Sequence, residues 1–186
     1  MAALAACGGS CAVVSPEGLA DAVAAVVGAP GIVLVGSELG SLRPELLARG
    51  IDARPGSSVE PAPAGASSPA PSAAADFAKA VVQANCAVTG ALLGIAASGT
   101  VAIDSRGGNS GLLSCLPPHH IAVLSERLIE RDLADALGVL AREASAAGAG
   151  FVLISGPSRT SDIEMMSVLG VHGPLKLDVL IVREER

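Results

Sequence analysis

Continuous apolar runs of strand length alternate with segments of helical periodicity along most of this chain. Residues 32–35 (Ile-Val-Leu-Val) form such a run, residues 121–124 and 151–154 form two more, and residues 176–182 form a last, mainly apolar one. A run without polar alternation is typical of a strand that is covered on both faces. Strands of this kind, separated by helical segments, predict an α/β fold with a mostly parallel central sheet and helices on both faces.

Helix signals fall between these runs. Ser15 and Pro16 predict a helix start, because serine is a good cap and proline suits the first helical position, and Gly28 is expected to end that helix. Residues 128–147 have the most regular helical pattern, with three leucines on one stripe. A shorter helix is predicted over residues 162–169, in which Ser161 and Glu164 would form a capping box.

Two further segments complete the predicted layout of one domain over residues 1–186. Residues 92–96 and 101–103 are apolar and flank a Ser-Gly turn, which predicts a β-hairpin. Residues 53–75 are dominated by Pro, Ala, Ser and Gly and contain almost no large apolar side chain. Such a segment buries too little surface to offset its chain entropy, so we expect a flexible surface loop there.

Charge and hydropathy narrow the class of partners. The 186 residues carry a formal net charge of -6 and contain no basic run, which argues against nucleic acid and membrane surfaces as general partners. Hydrophobic residues make up 51% of the chain, yet no apolar run reaches the roughly 18 residues that a membrane span needs. We therefore expect a soluble, cytoplasmic protein.

The four cysteines do not predict a metal site. Cys7 and Cys11 have a C-x-x-x-C spacing, which is a weak signal without two more cysteines nearby. Cys86 and Cys115 lie in apolar stretches and are typical of small core residues. Three histidines without an acid at ligand spacing add nothing to this, so we expect no cofactor in this chain.

The segment after the strand at 151–154 is the strongest candidate for chemistry. A glycine-containing turn between a strand and a helix start would aim backbone amides at one spot, and Arg159 would add a guanidinium suited to a carboxylate or phosphate. The alternative is a well-capped helix whose arginine pairs with a surface acid, and the chemistry alone leaves both open. The candidate residues in this segment are Gly156, Ser158, Arg159, Thr160 and Asp162.

Other polar groups could contribute to the same ligand site. The turn at Ser98, Gly99 and Thr100 offers two hydroxyls for an anion, or only closes the hairpin. Arg106 lies in a polar, glycine-rich loop that could cover a ligand. His120, His172 and Gly173 complete the candidate set, although a histidine beside a Gly-Pro turn more often bonds a backbone carbonyl. No nucleophile–base pair is visible, so no catalytic residue is predicted.

These segments together resemble the lactate utilization protein C family, also called the LutC/YkgG or LUD-domain family. The matching stretches are residues 88–90 (Val-Thr-Gly), 95–100 (Ile-Ala-Ala-Ser-Gly-Thr), 116–123 (Leu-Pro-Pro-His-His-Ile-Ala-Val), 155–164 (Ser-Gly-Pro-Ser-Arg-Thr-Ser-Asp-Ile-Glu) and 169–174 (Leu-Gly-Val-His-Gly-Pro). The resemblance implies a fold similar to the NagB/RpiA/CoA-transferase group. It also implies a role beside two partner subunits, one an iron–sulfur protein, in oxidising L-lactate to pyruvate, so that the clusters belong to the partner.

The chain departs from the family pattern at three positions. Ala97 stands where the family usually has an acid, and a family arginine falls on Gly111, with Arg106 nearby but offset. His119 stands where an apolar residue is common, while His120 matches the family histidine. If the missing acid and arginine serve a ligand, the site of this chain is altered.

The sequence is compatible with three functions. The first is a subunit of a lactate-oxidising system that binds a small carboxylate or other anion near Arg159. The second is a stand-alone enzyme of the CoA-transferase or sugar-phosphate-isomerase kind, which would need a positioned carboxylate, so that Ala97 counts against it. The third is a purely structural subunit, and a homo-oligomer is compatible with each.

Overall fold

The central sheet of the computed structural model has six strands, and all of their pairings are parallel. Residues 2–28, 30–57, 71–105, 110–147, 150–161, 167–169 and 173–183 are the part of the chain that the structure describes. The strands lie in the order β1 (Ser10–Val14), β12 (Lys176–Val182), β7 (His119–Ser125), β4 (Ala84–Gly90), β2 (Ile32–Val35) and β3 (Asp52–Pro55). The predicted parallel sheet is confirmed, and β2, β7 and β12 coincide with apolar runs, whereas the edge strands β1 and β3 were not predicted.

Helices cover both faces of this sheet, as predicted. On one face, α2 (Leu19–Val27) and α3 (Leu42–Ala48) pack through Val23 and Leu46 against the side chains of β2, β4 and β7. On the other face, α4 (Pro71–Gln83) and α5 (Ser110–Leu113) pack through Val81 and Leu113 against β2 and β4. The burial of apolar side chains on both faces explains why the strands need no polar alternation.

A second, four-stranded sheet lies against the same face as α4. Its strands are β8 (Ile129–Glu130), β5 (Leu93–Ile95), β6 (Thr100–Asp104) and β9 (Phe151–Ile154), in that order. The antiparallel β5–β6 pair is the predicted hairpin. α6 (Leu133–Ala147) packs on this sheet, while α1 (Ala2–Ala6) inserts Leu4 between the two sheets.

The chain reverses direction across the central sheet between β2 and β4. After β2 it crosses through α3 to β3 at one edge, and after β4 it leads away towards β7 on the other side. The connections that follow β2 and β4 therefore lead to opposite sides of the sheet. Such a reversal is the topological switch point at which ligands of open α/β sheets usually bind.

Four local predictions differ from the structure. The helix predicted to start at Ser15 and Pro16 begins only at Leu19, because residues 16–18 form a turn in which the amide of Gly18 donates a hydrogen bond to Ser15 Oγ. The predicted helix over 162–169 is wrong at its described end, because β11 (Ser167–Leu169) pairs antiparallel with β10 (Arg159–Ser161), and residues 162–166 lie outside the described part. The β-branched Thr160 and Val168 stand opposite each other, which favours strands over a helix. The predicted helix over 128–147 begins only at Leu133.

The late start of α6 has a cause at Asp132. Its side chain accepts hydrogen bonds from the amides of Ala134 and Asp135 at 3.0 and 3.1 Å, so it caps the helix there. The preceding residues instead form a short 3-10 helix (Glu126–Leu128) and β8. The predicted loop over 53–75 is also shorter at both ends, since β3 extends to Pro55 and α4 begins at Pro71, while residues 58–70 lie outside the description.

Candidate functional site

Two distant segments of the predicted site meet through a chain of hydroxyl groups. Ser98 Oγ lies 2.6 Å from Thr100 Oγ1, which lies 2.7 Å from Ser155 Oγ. Gly99, between the first two, has a φ of +63° and sits tightly on α1, where an added Cβ would lie 2.5 Å from the Cα of Leu4. The turn therefore requires glycine for its backbone and for its packing.

An open depression of about 400 Å³ adjoins this hydroxyl chain. It is lined by Ala6, Cys7, Ser155, Gly156, Pro157 and Arg159. Gly156 has a φ of +143° and lies against Cys7, the residue directly after α1, since an added Cβ would come within 2.7 Å of the carbonyl oxygen of Cys7. Arg159 is exposed, and its guanidinium lies beside Gly8. The depression thus presents a hydroxyl and a permanent positive charge to solvent.

The residues that follow the depression are held in place by the segment around Pro174. The amide of Ser158 donates a hydrogen bond to the carbonyl oxygen of Pro174 at 2.8 Å, and an added Cβ on Gly173 would lie 3.0 Å from Ser158 Cβ. Thr160 continues into β10, and only its backbone is described. The remaining predicted site residues, Arg106, Asp162 and His172, lie outside the described residues.

The secondary structure around this depression differs from the one that the sequence predicts. β9, which leads into it, pairs antiparallel with β6 in the second sheet and is not a strand of the parallel sheet. Arg159–Ser161 form β10, so within the described residues no helix starts directly after the depression. Because Ser158 contacts Pro174 and Arg159 contacts Gly8, the depression lies near the amino ends of β12 and β1. Its anion chemistry rests on the guanidinium and the hydroxyls.

His120 lies in the core and not on the depression. Its Nε2 is 2.8 Å from Thr89 Oγ1, and no described group forms a hydrogen bond with its Nδ1. Burial, together with a smaller effect of the neighbouring His119, lowers the pKa of His120 to about 3. The ring is therefore neutral at physiological pH and joins β7 to β4.

A second polar cluster, which sequence reasoning missed, links the amino ends of three central strands. His119 Nε2 lies 2.5 Å from Asp178 Oδ2, the hydroxyl of Ser10 donates to the other carboxylate oxygen, and Lys176 Nζ lies 3.2 Å away. Burial raises the pKa of Asp178, but the hydrogen bonds from these neighbours outweigh it and bring the pKa to about 2. Ser10 and Asp178 are 168 positions apart, and no local pattern signals their contact.

Sequence reasoning also missed Glu38, at the carboxyl end of β2. Its Oε1 accepts a hydrogen bond from the amide of Gly90 at 2.8 Å. An added Cβ on Gly36 would lie 2.8 Å from the carboxyl carbon of Glu38, and one on Gly90 would lie 2.9 Å from its Cγ. The available signal was its position, since Glu38 is the third residue after the apolar run 32–35 and the carboxyl ends of such strands often bind ligands.

Of the cysteines, Cys7 lines the depression, and of the three departures from the family pattern, His119 belongs to the polar cluster around Asp178. All four cysteines are free thiols, and burial raises the pKa of Cys86 to about 12. Among the described residues, no group of three or more His, Cys, Asp or Glu side chains could hold a metal ion. Ala97 is exposed in the hairpin turn, and Gly111 is half-buried in α5.

No helix within the described ranges combines the length and the hydropathy that crossing a membrane would take.

Comparison with solved structures supports the fold. A crystal structure of a DUF162 family protein from Deinococcus radiodurans superposes with a TM-score of 0.68 and covers 97% of this chain and 92% of that chain, at 22% sequence identity. At this level of identity the likeness concerns the fold.

Sequence relatives are closer. "Lactate utilization protein C" of Deinococcus radiodurans is 35% identical over 101 residues, which are 54% of this chain and 47% of that protein. "Uncharacterized protein YkgG" of Escherichia coli is 35% identical over 105 residues, which are 55% of this chain and 46% of that protein. The matched region thus spans about half the length of these relatives. The family described as "LUD domain" matches residues 1–182, and the chain therefore belongs to the LUD-domain family.

Proposed function

We propose that this chain serves lactate utilization, as a component of a system that oxidises L-lactate to pyruvate, and that it binds a small carboxylate in the depression beside Arg159. Membership of the LUD-domain family and the names of its relatives support the pathway. The proposed binding site rests on one observation: the exposed guanidinium of Arg159 and the hydroxyl of Ser155 line the same depression.

The chemistry of the depression suits a short 2-hydroxy acid or 2-oxo acid. A guanidinium binds both oxygens of a carboxylate through two parallel N–H donors, which a lysine ammonium cannot do. Ser155 lines the same depression and is already tied to Thr100, so its hydroxyl is held in place to meet the oxygen on the second carbon of the ligand. Gly156 lies so close to Cys7 that a residue with a side chain would not fit there, so position 156 adds no side chain to the depression.

The expected affinity is modest. A hydrogen-bonded pair with a charged group contributes roughly 1.5–3 kcal/mol, and an exposed pair falls at the lower end because water competes. With one guanidinium and one hydroxyl, we expect a dissociation constant on the order of 1 mM, which corresponds to about -4 kcal/mol.

Isothermal titration calorimetry with L-lactate and pyruvate tests this site. We expect both to bind the wild-type protein and to bind Arg159→Ala about tenfold more weakly or not at all. Arg54→Ala is the matched control, because Arg54 is an exposed arginine paired with Asp52 on β3, and its loss should leave binding unchanged. The uncharged amide of lactate should bind neither protein. Absence of binding to the wild type, or equal binding by Arg159→Ala, would remove the site.

The partner subunits belong to the same proposal. Under it, an iron–sulfur subunit of the lactate-utilization system holds the redox clusters and binds this chain. Co-purification of the two proteins from cells that express both would support this, and failure to form a complex would contradict it. A different result would favour a purely structural subunit: the wild-type protein binds neither lactate nor pyruvate, and Arg159→Ala forms the complex as well as the wild type does.

A further inference from the structure

We propose that a cavity between the two sheets is a second binding site, which takes the short aliphatic chain of a small ligand. This inter-sheet cavity has a volume of about 70 Å³ and lies among α1, β1, β7, β12 and the β5–β6 hairpin. It shares no lining residue with the Arg159 depression, so the inference does not rest on the proposed binding of lactate there.

The walls of the inter-sheet cavity are mainly apolar. Leu124 and Val179 line it from the central sheet, Val101 from the second sheet and Leu4 from α1, and all four belong to one buried apolar cluster. None of the twelve lining residues, each of which the structure describes, carries a charged side chain. A charged group that entered would lose its hydration without gaining a partner, so the cavity selects the apolar part of a ligand.

The two polar side chains of the lining hold water poorly. The hydroxyl of Thr100 already forms hydrogen bonds with the hydroxyls of Ser98 and Ser155, at 2.6 and 2.7 Å. The thiol of Cys11 is a weak donor, and burial raises its pKa, so it is uncharged at neutral pH. A water molecule in a cavity needs about two to four polar partners. An aliphatic group that displaces such poorly bound water therefore gains affinity.

The spacing of the walls is set by contacts of the hairpin backbone. An added Cβ on Gly94 would lie 2.6 Å from Cδ2 of Leu124, and one on Gly99 would lie 2.5 Å from the Cα of Leu4. The hairpin therefore already rests on the central sheet at one point and on α1 at another. Because it cannot move closer to either, the cavity between these contacts is formed before a ligand binds.

The volume limits the length of the chain that fits. An apolar cavity of about 150 Å³ takes up benzene, a molecule of six carbon atoms. At about 70 Å³, the inter-sheet cavity accommodates roughly three or four carbon atoms. Four of the lining residues, Cys11, Ala96, Ile129 and Ile181, are partly or largely exposed. A chain can therefore enter from solvent while the polar end of the ligand stays outside.

NMR titration of the wild-type protein with ethanol, 1-propanol, 1-butanol, 1-pentanol and 1-hexanol tests the proposal. We expect the amide resonances of Ile95 and Val101 to shift, with half-saturation by 1-butanol at roughly 10 mM. The affinity should rise about fourfold for each added methylene group up to 1-butanol, because each one is buried, and should then level off when the cavity is full. Non-specific adsorption would instead give an affinity that keeps rising up to 1-hexanol.

Two variants locate the bound alcohol. Ala96→Phe places a ring at the mouth of the cavity and should bind 1-butanol at least about tenfold more weakly, whereas Ala97→Phe is the matched control. Ala97 is the next exposed alanine of the same turn but does not line the cavity, so its variant should bind as the wild type does. Leu4→Ala enlarges the cavity, so its affinity should keep rising beyond 1-butanol, in a protein whose circular dichroism confirms that it is folded.

Three results would overturn the proposal. They are the absence of binding by any alcohol to the wild type, a wild-type affinity that rises up to 1-hexanol without levelling off, and equal binding of 1-butanol by Ala96→Phe and the wild type. An unchanged limit in Leu4→Ala would likewise place the alcohol elsewhere. Arg159→Ala should bind 1-butanol as the wild type does, which separates this test from that of the Arg159 depression.

Discussion

The buried histidine of β7 gives the protein a specific sensitivity to acid. His120 has a pKa of about 3 in the folded protein because burial disfavours its charged form, whereas an exposed histidine in the unfolded chain titrates near 6.5. Below pH 6.5 the unfolded chain therefore binds a proton that the folded protein does not accept. The free energy of unfolding falls as the pH drops from 6.5 towards 3.

The size of the effect at pH 5.0 follows from these two pKa values. At that pH the unfolded histidine is mostly protonated while the folded one is mostly neutral, and one pKa unit corresponds to about 1.36 kcal/mol. The difference between pH 7.5 and pH 5.0 is then about 2 kcal/mol from this residue alone. For a domain of this size that is a substantial part of the total stability.

Urea denaturation of wild type and His120→Gln at both pH values isolates this contribution. The variant should be less stable than the wild type at pH 7.5, because it changes a packed ring that contacts Thr89 Oγ1. Its loss of stability between pH 7.5 and 5.0 should be about 2 kcal/mol smaller than that of the wild type. Thr89→Val is the control, since it removes the contact but keeps the titrating ring, and its loss on acidification should match the wild type. If His120→Gln loses as much stability on acidification as the wild type, the account of His120 is wrong.

Two further predictions concern the ends of the central strands. Asp178→Asn should lower the free energy of unfolding by roughly 2 kcal/mol at pH 7, because the folded pKa of Asp178, about 2, lies below the unfolded value of 3.8. This stability is present above pH 3.8 and is lost as the pH falls towards 2. The difference in the free energy of unfolding between the wild type and Asp178→Asn, measured by urea denaturation, should therefore shrink over that interval. A difference that stays constant would contradict the lowered pKa of Asp178. Gly156→Ala should cost more than Gly50→Ala, by roughly 1–3 kcal/mol, because both glycines have positive φ but only the former lies against Cys7. Equal melting temperatures of the two variants would show that the contact with Cys7 imposes no constraint.

The sequence predicts the inner strands of the central sheet, because burial on both faces leaves a local signature, but it does not predict the edge strands β1 and β3. Residues 32–35 and 121–124 are apolar at every position, and both lie within strands that are covered on two sides. The hairpin is predicted for a similar reason, since its turn residues and its flanking strands are close in sequence. β9 is predicted as a strand but not as part of the second sheet, because an apolar run does not specify which strand it pairs with.

The candidate site is predicted only in part, because its geometry depends on contacts between distant residues. The Ser98–Thr100 turn and residues between Gly156 and Asp162 were both expected to bind a ligand. The hydroxyl that joins the two segments belongs to Ser155, which was not predicted and lies 55 positions from Thr100. The helix expected over 162–169 rests on the capping-box pattern, and at its described end residues 167–169 form a strand that pairs with β10 instead. Glu38 and Asp178 carry no recognisable motif, and their positions follow from strand order and register alone.

The most direct test of the central claim is the response of Arg159 itself to L-lactate. In protein labelled with ¹⁵N, the Nε resonance of Arg159 and the amide resonances of Ser155 and Gly156 should shift together as L-lactate is added, saturate at millimolar concentration and return on competition with pyruvate. Resonances of the arginine that pairs with Asp52 should stay in place. If the Arg159 signal does not move while the protein remains folded, the depression is not a carboxylate site.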